Sequence, residues 1–176
     1  MGAGTGTVRA TSAPISDCRL VVRRDEGLTE VLQFVIAGLE IGQQVVAMAG
    51  PACLKELARG LSDGALRPES LLRNGRLIFL TAPECLSQLS KPVDPWQRGP
   101  LRPNGSLLRW VTDWSWAYAN GNLAGSILEY QRRIHDFVRS FTALSLCTVH
   151  CEKLERSSLL AMLADHRRAA KSRFQV

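Results

Sequence analysis

RRDEGLTE, residues 23–30, holds the first candidate chemistry of the chain. It joins an apolar run to an amphipathic one, the position at which a P-loop cradles phosphate in an α/β protein. A working P-loop needs glycines, so that backbone N–H groups can surround phosphate, a lysine for the outer phosphates and a hydroxyl for magnesium. Here there is one glycine, Gly27, one hydroxyl, Thr29, and no lysine, while Asp25, Glu26 and Glu30 stand where phosphate charge would lie. Like charge at short range disfavours that ligand. The same residues suit the start of a helix, with Asp25 as a cap and acids in the first turn. The loop reads as a degenerate P-loop, and no catalytic residue is expected in it.

The second place is LLRWVTDWSWAYANG, residues 107–121, which carries Trp110, Trp114 and Trp116, three of the four tryptophans, with Arg109 and Asp113 between them. Two readings stand for the rings: packing under a helix, or lining a pocket, where a large amphipathic side chain suits a ligand. Asp113 falls where a nucleotide hydrolase would keep its magnesium-linked acid, but without a P-loop it has no partner in that role. The third place, LCTVHCEK at 146–153, offers Cys147, His150 and Cys151 as soft ligands. C-x-x-H-C is not a zinc spacing, and no second cysteine pair is near. On a strand, residue 150 also points away from 147 and 151. No metal and no cofactor is therefore expected. Glu129 with Arg133, and Arg132 with Asp136, are i,i+4 pairs of a solvated helix face. His135, His150 and His166 are scattered and form no recognisable triad.

The elements that must position these residues follow from hydrophobic periodicity. Strands are predicted at 18–22, 45–49, 76–80, 107–112 and 144–149. Helices are predicted from 28 to about 39, at 53–61, from 68 to about 74, along the stripe from Leu123 to Phe141, and at 154–169. Apolar strands alternating with amphipathic helices imply a mainly parallel sheet covered on both faces. The Pro-rich stretch 85–105 reads as a long loop. Residues 1–16 read as a flexible arm, 17–169 as one domain and 170–176 as a basic tail.

At 176 residues and 45% hydrophobic content the chain suits one globular domain. No apolar run reaches the ~18–20 residues of a membrane span, and the N-terminus has no signal-peptide pattern. A cytoplasmic protein with its five cysteines as free thiols is expected. The formal charge of +6 lies partly in Arg167, Arg168, Lys171 and Arg173, a solvated tail. Nucleic acid is a possible but unfavoured partner, and no membrane is expected.

Five pieces, FVIAGLEIGQQVV, NGRLIFLTAPE, LRWVTDWSWA, ILEYQRRI and LCTVHCEKLERSSLLAMLADH, together resemble the MEDS family, the sensory domain named from methanogens, methylotrophs and the dichloromethane-responsive regulator. GLEIGQQVVAMA also resembles the KaiC/RecA core. The resemblance implies a RecA/KaiC-like three-layer α/β sandwich, with a mainly parallel sheet of about five or more strands, that has lost its P-loop and serves as a sensor beside signalling or DNA-binding partners. This chain departs from the family pattern at Thr112–Trp116, at Val149 and His150, and at His166–Arg167, where the family has His-Pro. The expected function is a non-catalytic sensory or regulatory domain acting through a small ligand, a protein partner or a second copy. Arg23, Asp25 and Glu26 would form one side of a site, with Arg109, Asp113, Trp114 and Trp116 beside them. The rival readings are a ligand-free interaction adaptor and a weak nucleotide or nucleic-acid binder.

Overall fold

The alternating runs become β1 (Ser16–Arg23), α1 (Thr29–Glu40), β2 (Gln44–Ala49), α2 (Pro51–Asp63), α3 (Pro68–Arg73), β3 (Leu77–Thr81), β4 (Leu108–Asp113), α4 (Ser115–Tyr118), α5 (Ala124–Arg139), β5 (Ala143–His150) and α6 (Arg156–Lys171). The computed structural model describes residues 16–24, 28–81, 107–118, 124–139, 143–150 and 155–171. Asp25, Glu26, Cys85, Cys151, the 85–105 loop, residues 1–15 of the arm and residues 172–176 of the tail lie outside the described residues.

All five predicted strands and all five predicted helices are present. The single turn α4 was not foreseen. It forms because the chain leaves β4 directly into a turn, with Ala117 N donating to Trp114 O at 3.0 Å. Helix α1 begins at Thr29 with Leu28 as its N-cap, no side chain closes that end, and Glu30 is the acid of its first turn. Its other end is finished by Gly42, whose φ of +83° lets the chain reverse into β2. Proline opens both α2 and α3, where its missing N–H costs no helical bond.

The strands form one sheet in the order β1-β5-β4-β2-β3, with every pairing parallel. Alternate residues feed opposite layers. On one face Val45, Ala47, Val111 and Leu146 pack with Val31, Val35 and Leu39 of α1 and Leu54, Leu57 and Leu61 of α2. On the other face Val46, Met48, Trp110, Cys147 and Val149 pack with Ile134 of α5 and Met162 of α6. Both faces are covered, as a parallel sheet requires. No helix among the described residues is long and apolar enough to cross a membrane.

Candidate functional site

Helices α1 and α2 lie on one face of the sheet and α5, which follows β4, on the other, so the neighbouring strands β4 and β2 lead into helices on opposite sides. The crevice outside their carboxyl ends is where an open α/β sheet takes a ligand. Here that gap holds Trp116, packed onto the backbone after β2: a Cβ placed on Gly50 would lie 3.2 Å from Trp116 Cβ.

Beside it, on the α1 face, a polar network closes on Asp113. Arg23 Nη2 donates to Asp113 Oδ1 at 3.1 Å, with the two side chains 10% and 6% exposed. Ser115 Oγ and Thr148 Oγ1 donate to the same oxygen at 2.8 and 3.0 Å. His150 N donates to Ser115 Oγ at 2.9 Å, and Trp114 N to Thr148 O at 2.8 Å. Register explains the convergence: Asp113 lies opposite Thr148, and Arg23 opposite His150. The network thus ties β1 to β4 across β5. His150 is buried, and neither of its ring nitrogens has a hydrogen-bond partner among the described residues.

Arg23 and Asp113 are brought together in this ion pair, but Arg109 is not with them. It precedes Asp113 by four residues on the same strand face, roughly 13 Å toward the amino end. There it donates from Nε to Gln43 Oε1 and from Nη1 to Phe34 O, both at 2.7 Å, and stacks 4.7 Å from the Phe34 ring centre. Burial lowers its guanidinium pKa from the ordinary value. Arg109 also fits closely over Gly38 of α1, where an added Cβ would fall 2.5 Å from its Cδ. Gly38→Ala should accordingly lose about 1–3 kcal/mol by overpacking. Urea unfolding should show that loss shrinking when Arg109 is also cut to alanine; an unchanged loss would mean that the clash lies elsewhere. Arg109 borders a cleft of about 610 Å³ lined also by Arg19, Glu30, Gln33, Phe34, Ala37 and Leu144–Leu146.

Of the two readings of the tryptophans, packing holds for Trp110 and Trp114, which are 1% and 0% exposed in the α5-side core. Trp110 Nε1 is satisfied by Thr112 Oγ1 at 2.9 Å. Trp116 is half-buried at the same edge. Glu129 and Arg133 pair at 3.0 Å on an exposed face, as their spacing predicts.

The opposite face holds a cluster that the sequence does not announce. Cys18 of β1, Cys147 of β5, His135 of α5 and His166 of α6 place one sulfur or ring nitrogen each within 4.8 Å of one another. Cys18 Sγ is 3.8 Å from both Cys147 Sγ and His135 Nε2, and Cys147 Sγ is 3.5 Å from His135 Nε2. The imidazoles meet edge to face, 4.9 Å between centres. The Cys147 thiol hydrogen-bonds Cys18 and so holds the Cys18 thiol far below its ordinary pKa, against the effect of burial and with help from His135 and His166. Cys147 is pushed up correspondingly, first by that bond and then by burial. Of the residues near Cys147 in sequence, His150 faces the other side of the sheet, and the neighbours of the thiol lie on other elements. The available signal was helical spacing: Gln131, Ile134 and His135 share the inner face of α5, and Met162 and His166 that of α6.

No curated protein matches the chain. A family model described as the methanogen/methylotroph, DcmR sensory domain matches residues 17–167, a span that includes the Asp113 network and all four members of the Cys/His cluster. The chain belongs to the MEDS family of sensory domains.

Proposed function

We propose that this chain is a non-catalytic sensory or regulatory domain, of RecA-like ancestry with a degenerate P-loop, that acts through a small ligand, a protein partner or both in signalling or transcriptional control. The observation that carries this reading is the state of Asp113. Its Oδ1 already accepts Arg23, Ser115 and Thr148, so a magnesium ion on that oxygen would have to displace a buried guanidinium. A carboxylate committed to closing the strand ends positions backbone and does not organise phosphoryl transfer. The cleft beside Arg109 lies in the size range of small-ligand sites, ~300–1,000 Å³, and mixes an aromatic wall with charged groups.

Native mass spectrometry of the gently purified chain tests both halves. ATP with magnesium should leave the mass unchanged, and a magnesium-dependent ATP adduct would restore the nucleotide reading. A co-purifying small molecule should be carried by the wild type and excluded by Ala37→Trp, which fills the cleft. A clean mass for both proteins would remove the ligand and leave the partner as the signal.

A further inference from the structure

We propose that Cys18, His135, Cys147 and His166 form a closed, tetrahedral Cys2His2 site for zinc, joining β1, β5, α5 and α6. Four protein ligands with no open position make a structural site, not a catalytic one.

The geometry is that of a coordination shell. With Zn–S near 2.3 Å and Zn–N near 2.0–2.1 Å, a tetrahedron has edges of about 3.8 Å between sulfurs, about 3.6 Å from sulfur to nitrogen and about 3.3 Å between nitrogens. The sulfurs are 3.8 Å apart, and His135 Nε2 stands 3.5 and 3.8 Å from them. All four ligand atoms lie within 4.8 Å of one another. A disulfide would need the sulfurs at about 2.05 Å and has no use for two imidazoles aimed at them.

The surroundings orient the ligands. His166 Nδ1 lies 2.8 Å from Met162 O. A carbonyl only accepts, so Nδ1 carries the proton and Nε2 keeps its lone pair. That is the arrangement in which a ligating histidine is fixed by a bond from its other ring nitrogen. The fully buried Gln131 packs against the same edge of the ring, and its amide nitrogen, itself a donor, is 3.2 Å from that Nδ1. Cys147 and His135 are 2% and 8% exposed in an otherwise apolar layer with Trp114, Ile134 and Met162. Two thiols and two imidazoles brought there from four separate elements are a costly use of core volume unless something they share repays their desolvation. Zinc binding supplies it, because both sulfurs, as thiolates, and both imidazoles turn lone pairs to one ion.

The full-length chain, purified under reducing conditions and dialysed against zinc, should hold one zinc per chain by elemental analysis. Replaced by cobalt, the site should give the intense visible bands of four-coordinate cobalt with a near-ultraviolet thiolate charge-transfer band. Cys147→Ser should abolish both. Because that variant removes a buried group, His166→Gln at the half-buried edge is the second: a folded His166→Gln by circular dichroism should bind zinc at least tenfold more weakly in competition with a chromogenic chelator. Substoichiometric zinc, octahedral cobalt spectra, or wild-type zinc affinity in folded His166→Gln would each overturn the site. So would a Cys18–Cys147 disulfide that persists in the reduced preparation.

Discussion

Asp113→Ala lowers the unfolding free energy by about 3–5 kcal/mol, the loss that follows when one partner is removed from a buried, hydrogen-bonded ion pair. For a domain of this size that is a fall in Tm of roughly 6–20 °C. The reason is local. The deletion removes the carboxylate facing the Arg23 guanidinium, 10% exposed, and takes the acceptor from Ser115 Oγ and Thr148 Oγ1 together. Arg23→Met with Asp113→Leu should recover much of the loss, since a buried pair replaced by apolar groups is often neutral. Urea titration of the two single variants and the double closes the cycle. A single-variant loss under 1 kcal/mol would mean that water screens the pair, and the argument that Asp113 is committed to structure would fail with it.

Trp114→Ala is the other large effect, about 3–5 kcal/mol for a large aromatic removed from a packed core. Trp114 has no exposed surface and packs in the same cluster as Trp110, Ile134 and Met162. Trp116→Ala, at the half-buried edge against Gly50, should cost clearly less. If Trp114 were instead a stacking surface for a ligand, its removal would cost binding and spare stability. Parallel denaturation curves for the two variants separate the cases: equal midpoints would return Trp114 to the pocket.

The contrast between the two tryptophans illustrates what a linear reading can reach. Each strand is legible because it is an apolar run bounded by Gly, Pro or polar residues. Each long helix is legible because its apolar positions recur at three and four. Those signals fix the layers and the sense of the sheet. They do not fix strand order, and order decides which side chains meet. Arg109 and Asp113 look adjacent in LRWVTD, yet the strand carries them to opposite ends of the sheet. Arg23 and Asp113 are 90 positions apart and meet because β5 alone lies between their strands. The Cys/His cluster is hidden for the same reason. Cys18 and His135 are 117 positions apart, and no spacing rule connects them. RRDEGLTE was legible as an unsuitable phosphate loop, because its charges argue without any fold, while Asp25 and Glu26 lie beyond the described residues.

The placement of β1 at the edge of the sheet, paired among the described strands with β5 alone, sets the order in which the domain can be made. Cys18 and Cys147 sit on partner strands 129 positions apart. On the ribosome, the first strand synthesised waits without its partner until nearly the whole domain has emerged. Strands β4, β2 and β3 can pair with one another before it docks. Closure is then a late, long-range event with a large loop entropy, the kind that slows folding. Until it happens, Leu20 and Val21 of β1 lack the strand that pairs with them, and the partner that completes the sheet comes from the last quarter of the chain.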